Sequence, residues 1–416
     1  MNQIPMTPPI DADAVFARIR AHFSPRTAAT GRLCGRNAVE AAARGCRVEL
    51  SDGRTALDFG SYAVGLLGHR SPQVVAAVRE QLDTMTISTR ILGNPAPARA
   101  AAALCDYVGA ESGLGRVYFG LNGADAVEAA IKLARLSTGR PRVLAVAGAY
   151  HGKSMGALAL THHPEYRAGL EQLLPAVTHL DPSDAEAVER ACARHDVAAL
   201  IFEPIQGEAG VRPLPTAVLR RWCAAAKEHG AAVIADEIQT GLRRCGDRSV
   251  ALATGLPVDA VLFGKALGGG VMPVSAAVCT EALYRPLIDN PARHTATFSG
   301  NPLVTAPIPA ALAAIEESAH RVEPVAVAVG DALRDLAARH PDVVRAVRGT
   351  GLFWGAELGS AQLARTASVA LARNGLLVSP CASDPATLRL LPSLTATDDE
   401  VAEALDIIRT VITGLR

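Results

Sequence analysis

In Val258-Asp259-Ala260-Val261-Leu262-Phe263-Gly264-Lys265-Ala266-Leu267-Gly268-Gly269-Gly270, an apolar run stops at a lysine and gives way to glycines. Such flanks predict a short buried strand ending in a permissive loop. The amine of Lys265 then projects from the carboxyl edge of a sheet, where open α/β folds bind ligands. One reading is a lysine that forms a Schiff base with a carbonyl, its pKa lowered by desolvation so that the free amine is available. The other is an exposed lysine capping a strand.

About thirty residues upstream, Ala231-Ala232-Val233-Ile234-Ala235-Asp236-Glu237-Ile238-Gln239-Thr240-Gly241 repeats the pattern, with an apolar strand ending in an acid. An acid and then a lysine at neighbouring strand ends suit pyridoxal phosphate, which needs an amine for its aldehyde and an anion to keep its pyridine nitrogen protonated. These motifs resemble those of the class III aminotransferases, fold-type I pyridoxal phosphate enzymes that include the ornithine, acetylornithine and other ω-amino acid aminotransferases.

Composition agrees with a small-molecule enzyme. The 416 residues are 49% hydrophobic and 20% charged, enough for a large core and two domains. Lys+Arg and Asp+Glu both number 41, so no bulk charge draws the chain to nucleic acid or an anionic membrane. Eight cysteines form no CxxC pair and no Cys/His ligand spacing, which argues against a metal site or a disulfide framework and for free thiols in a reducing cytoplasm. Met1 to Pro9 lacks a basic-then-apolar leader, and no uncharged apolar stretch reaches spanning length, so secretion and membrane insertion are not expected.

Along the chain, residues 1 to about 45 predict an arm or a helix packed on a neighbour. Arg47 to Phe59 holds two β-like pieces around Asp52-Gly53, a hairpin signal. Ser71 is a candidate cap for the helix that Pro72 begins. Val117 to Arg135 predicts a strand, a glycine turn at Asn122-Gly123-Ala124, and a helix burying Val127, Ala130, Ile131 and Ala134, with Glu128 and Lys132 paired on the opposite face. That helix start offers free N–H groups and a positive dipole end to a phosphate. A strand at Val143 to Val146 leads to Tyr150-His151-Gly152. The stretch from about 165 to 195 reads as helical. Val197 to Phe202 then predicts another buried strand, ending in Glu203, and Ala217 to His229 a crossover helix. Three strand-end charges, Glu203, Asp236 and Lys265, separated by helix-like segments, imply a mostly parallel sheet with one crowded edge. A further strand follows at Pro273 to Cys279 and a helix near 303 to 317. The pattern beyond 318 is α+β. Gly349 and Gly351 do not open a helix after a first strand, which excludes a dinucleotide site.

The resemblance covers about residues 47 to 400 and implies three segments: 1–60, an arm and part of a small domain; 61–317, a large cofactor-binding domain with helices flanking the sheet; and 318–416, the carboxy-terminal part of the small domain. It implies that Lys265 carries pyridoxal phosphate as a Schiff base and moves the proton, while Asp236 opposes the ring nitrogen. Gln239 would bond the phenolic oxygen, and Tyr150 and Ile238 would cover the ring faces. The family's Ser-Gly-Ser/Thr-Glu-Ala is here Asn122-Gly123-Ala124-Asp125-Ala126, so Gly123 and Ala124 would hold phosphate through backbone amides, helped by the Asn122 side chain. His151 is either a further cofactor contact or a structural histidine bonded to backbone. Thr297, in Thr297-Phe298-Ser299-Gly300-Asn301-Pro302, would reach the phosphate of the other subunit of a homodimer, or is a turn hydroxyl. Tyr62 and Val64 would line the substrate pocket, although an aromatic before a turn is equally a core residue. Arg389 would hold a substrate carboxylate with two parallel bonds, and Glu203 would neutralise Arg389 when an ω-amine is bound. The implied activity is ping-pong transfer of an amino group from an ω-amine or amino acid to a 2-oxo acid, with 2-oxoglutarate the expected acceptor. Epimerase or aminomutase chemistry on the same cofactor is the alternative, and a non-enzymatic relative is a third reading that Lys265 and Asp236 argue against.

Overall fold

The computed structural model describes residues 10–415, so the expectation about a leader at Met1 to Pro9 lies outside the described residues. Its centre is a seven-stranded sheet in the order Leu114–Gly120, Ser275–Thr280, Ala260–Phe263, Ala232–Asp236, Val197–Phe202, Arg142–Val146, Val177–Leu180. Ser275–Thr280 runs antiparallel to both neighbours, and the other pairings are parallel. The three middle parallel strands are buried throughout, because helices cover both faces and leave no side for polar residues. Alternate residues enter opposite cores: Val233, Ala235, Val261 and Phe263 join one apolar cluster, and Ile234, Ala260 and Leu262 the other.

The helix Gly123–Thr138 buries the expected face, Val127, Ala130, Ile131 and Ala134 included. Its outer pair does not form. Glu128 instead accepts from the amides of Gly156 and Ala157 at 2.8 and 3.1 Å, capping the helix Met155–Leu160, and Lys132 Nζ lies 2.8 Å from His294 Nδ1. A buried helix start needs an acceptor more than a solvated lysine needs a partner. Ser71 precedes the helix Pro72–Thr84 but makes no side-chain cap bond. The stretch read as helical from 165 to 195 contains the edge strand Val177–Leu180, too short and too polar for alternation to reveal. The helix near 303 to 317 is two pieces, Pro302–Thr305 and Pro307–Ser318, since Pro307 has no N–H to continue the first.

The amino-terminal arm forms the helices Ala12–His22 and Pro25–Cys34. The hairpin Arg47–Leu50 with Thr55–Asp58 forms as expected. Its other edge is closed by Leu376–Leu377, parallel to Leu57 and Asp58. A second outer sheet joins Val344–Thr350, Phe353–Leu358, Thr387–Leu390 and Ser379–Pro380, and it fixes Arg389 opposite Gly355 and Ser379. Among the described residues no helix is long and apolar enough to cross a membrane.

Candidate active site

The carboxyl ends of the middle strands open into a cavity of about 310 Å³ lined by Asn122, Gly123, Ala124, Tyr150, His151, Glu203, Asp236, Ile238, Gln239 and Lys265. Lys265 begins a tight turn, Lys265–Gly268, with its own φ at +45°, a left-handed value rare outside glycine. The residue is half-buried in the cavity wall. Burial pushes its pKa below the ordinary lysine value against the opposing pull of Asp236, which favours the free amine.

Asp236 and Glu237 are adjacent, and extended backbone sends them to opposite sides. Glu237 accepts from the amides of Val250 and Ala251 at 2.8 and 2.9 Å and is a structural cap. Asp236 faces the cavity, where Oδ2 lies 2.6 Å from His151 Nδ1 and Oδ1 accepts from the Ile238 amide at 3.2 Å. His151 therefore bonds a carboxylate and not backbone. Burial opposes charge on this imidazole, but the Asp236 carboxylate outweighs burial and raises its pKa.

At the helix start, Asn122 and Asp125 make a reciprocal cap: the Asp125 amide donates to Asn122 Oδ1 at 3.2 Å, and Asp125 Oδ2 accepts from the amides of Leu121 and Asn122 at 2.8 and 3.3 Å. Asn122 Oδ1 is thereby engaged. The amides of Gly123 and Ala124, in the first turn, have no intrahelical acceptor and are available to an anion. Ile238 lies against two glycines: a Cβ on Gly123 or Gly264 would come within 3.0 or 3.1 Å of its side chain. Glycine at both positions lets the backbone pack directly on Ile238.

Glu203 ends its strand as expected, with Oε1 accepting from the Tyr150 amide at 2.8 Å and Oε2 from the Gly207 amide at 3.4 Å. Burial pushes its pKa up to about 7. Glu203 does not neutralise Arg389. Arg389 NH1 instead donates to Oε1 of Glu208, whose Oε2 accepts from the Ala382 amide at 2.8 Å. Burial works to raise the Glu208 pKa, but Arg389 more than offsets it and holds the carboxyl below the usual range. Glu208 lies beyond the end of the strand Val197–Phe202, so no strand-end position marks it in the sequence. The signal was the second acid of Glu203-Pro204-Ile205-Gln206-Gly207-Glu208, which the turn carries towards the outer sheet. Tyr62, Val64, Thr297 and Arg389 are not among the cavity-lining residues. Tyr62 is 79% exposed, and the exposed Thr297 contributes its carbonyl to Arg90 NH2 at 2.6 Å.

The residues present fit pyridoxal phosphate. Gln239 Nε2 and His151 Nε2 are buried polar atoms without a partner among the described residues, Lys265 lies on the same cavity, and a helix start supplies free amides. A lysine and an acid on one cavity at the sheet's carboxyl edge are the equipment of a pyridoxal phosphate enzyme. Residues 35–412 match the family model described as Aminotransferase class-III, and the chain belongs to that family. It is 35% identical to a putrescine aminotransferase of Pectobacterium atrosepticum, over 86% of this chain and 78% of that protein. It is 37% identical to an acetylornithine aminotransferase of Methanopyrus kandleri, over 87% and 90%. A solved ornithine aminotransferase from Toxoplasma gondii, with partial occupancy of PLP at its active site, superposes with a TM-score of 0.87 at 28% identity, over 98% of this chain and 96% of that one. The protein is a pyridoxal phosphate-dependent transaminase that takes an amine donor and a keto acid acceptor.

Proposed function

We propose that one pocket serves two substrates, an ω-amine or a terminal amine of an amino acid as donor and 2-oxoglutarate as acceptor, in a ping-pong sequence. The buried ion pair between Glu208 and Arg389 carries this reading. With the pair closed, Arg389 is masked and an uncharged or cationic donor tail can lie beside it. A dicarboxylate acceptor displaces Glu208 and takes the guanidinium fork, whose Nε has no partner among the described residues.

Bound pyridoxal phosphate supplies a carbonyl for the amine and an electron-withdrawing ring. Lys265 is the amine that would hold it, and Lys265 Nζ, once free, carries the proton between carbons. Asp236, steadied by His151, would oppose the ring nitrogen. Gln239 Nε2 would donate to the phenolic oxygen, Tyr150 and Ile238 would flank the ring, and Gly123, Ala124 and the Asn122 turn would receive the phosphate. The hold of Glu203 on the Tyr150 amide supports that stacking position.

The same reading makes the protein a cytoplasmic homodimer. Met85, Ile87, Ile91 and Leu92 stand exposed, with Phe298 also exposed beyond Arg90, which binds the carbonyls of residues 296, 297 and 299. A second copy covering this face would bring Thr297 to a shared active site, while Tyr62 and Val64 would line the substrate pocket from beside the Lys265 turn. Eight free thiols support a reducing compartment. The pairing of Leu376–Leu377 with Leu57–Asp58 supports grouping segments 1–60 and 318–416 around the large segment 61–317.

The test is a half-reaction. A donor amine alone is expected to exhaust the absorbance of the lysine-bound cofactor, and a 2-oxo acid to restore it; comparing 2-oxoglutarate with pyruvate across a panel of amines identifies the pair. Steady conversion of an amine with no 2-oxo acid present would favour epimerase or aminomutase chemistry instead.

A further inference from the structure

We propose that Asp58 and His69 are positioning residues for Lys265, acting through the turn Ser61–Ala63. This rests on the assignment of Lys265 as the cofactor lysine. The turn places three successive non-glycine residues in the left-handed region, Ser61 at φ +37°, Tyr62 at +52° and Ala63 at +66°. Backbone of this kind is strained and persists only where surrounding contacts over-determine it. It packs against the turn Lys265–Gly268, whose first residue is itself left-handed. Farther along, the Gly68 and Val64 carbonyls close on Gly270, where an added Cβ would meet them at 3.3 and 3.8 Å. Two strained turns thus lean on each other.

The contacts that over-determine the first turn converge on one buried carboxylate. Asp58 Oδ1 accepts from the Gly60 amide at 2.9 Å, and Oδ2 accepts from the Ser61 hydroxyl and faces His69 Nε2 at 2.8 Å. Both ends of this clamp are fixed. Asp58 lies in the strand closed by Leu376–Leu377, and the His69 backbone exchanges bonds with Gly45 at 2.7 and 3.1 Å. At the far side of the turn Ala63 is buried with Ile205, Val211, Phe353 and Leu391, between the Glu203–Gly210 turn and the residues after Arg389. The clamp is linked in this way to the lysine turn and to the wall that carries the carboxylate gate, yet it touches neither the cavity nor the cofactor donors.

The experiment is hydrogen–deuterium exchange on the full-length holoenzyme with two variants. Asp58→Asn keeps the shape but halves the acceptor capacity, and His69→Gln keeps an Nε2 donor. Losing about 1.5 kcal/mol of charge-assisted bonding corresponds to roughly tenfold faster exchange. That increase is expected for Asp58→Asn in peptides covering 60–66 and 265–270 together, while His69→Gln stays near wild type. Faster exchange confined to 60–66, uniform over the chain, or absent would overturn the proposal. If Asp58→Asn retains the absorbance of the lysine-bound cofactor, the assignment of Lys265 stands whichever way the exchange falls.

Discussion

Glu208→Gln separates the two half-reactions. The substitution keeps the side-chain shape and one acceptor oxygen but removes the anion that covers Arg389. Glu208 and Arg389 are both buried, at 8% and 3% exposure, so water cannot replace the lost partner. A hydrogen bond to a charged group contributes about 1.5–3 kcal/mol, which is roughly one to two powers of ten in a rate or an affinity. With the guanidinium unmasked, an amine donor has to approach a bare cation, and its kcat/KM is expected to fall by that factor. A 2-oxoglutarate carboxylate no longer has to displace Glu208, so the acceptor half-reaction is expected to hold or improve. Single-turnover mixing at the cofactor absorbance measures each half separately. Equal losses in both halves would show that Glu208 is only a brace for the Ala382 turn, and no change in either would show that Arg389 does not face the substrates.

Lys265→Ala is expected to remove the absorbance of the lysine-bound cofactor together with turnover; a variant that kept full turnover would contradict the assignment. Burial keeps Glu203 protonated up to about pH 7 against an ordinary 4.5. The native state then binds one proton more than the unfolded chain between those values, and stability falls as pH rises through that window. Glu203→Gln should lose this decline, gaining on wild type at about pH 8 and matching it at about pH 4.5 in denaturant titrations; parallel pH profiles would refute the cause. Gly207→Ala would put a Cβ 2.3 Å from Gln239 Oε1 and 2.9 Å from Phe353 Cζ. It is expected to displace Gln239 and weaken pyridoxal phosphate binding, read as a higher Kd by equilibrium dialysis, and an unchanged Kd would show that the amide is not a cofactor donor.

The central strands were legible because a parallel sheet buried on both faces writes its strands as unbroken apolar runs, so the charge that ends each run stands out. This made Glu203, Asp236 and Lys265 visible together, and the glycine turn at Asn122 to Ala124 with them. Interactions decided by tertiary proximity were not legible. Glu128 stands one turn from Lys132, yet it caps a helix that follows much later in the chain. Arg389 has acids at Glu203 and Glu208, and only the path of the intervening turn selects Glu208. The edge strand Val177–Leu180 owes its existence to pairing with Arg142–Val146, and four residues carry too little periodicity to announce it.

The closure of the Arg47–Asp58 hairpin by Leu376–Leu377 bears on how the protein is made. During synthesis the hairpin keeps an open edge until Leu376–Leu377 has followed it out of the ribosome, because the strand that seals it lies far downstream in the chain. Nascent chains, and products truncated before Leu376, would display that unsealed edge to one another, which makes this hairpin the place where misassembly during synthesis would start.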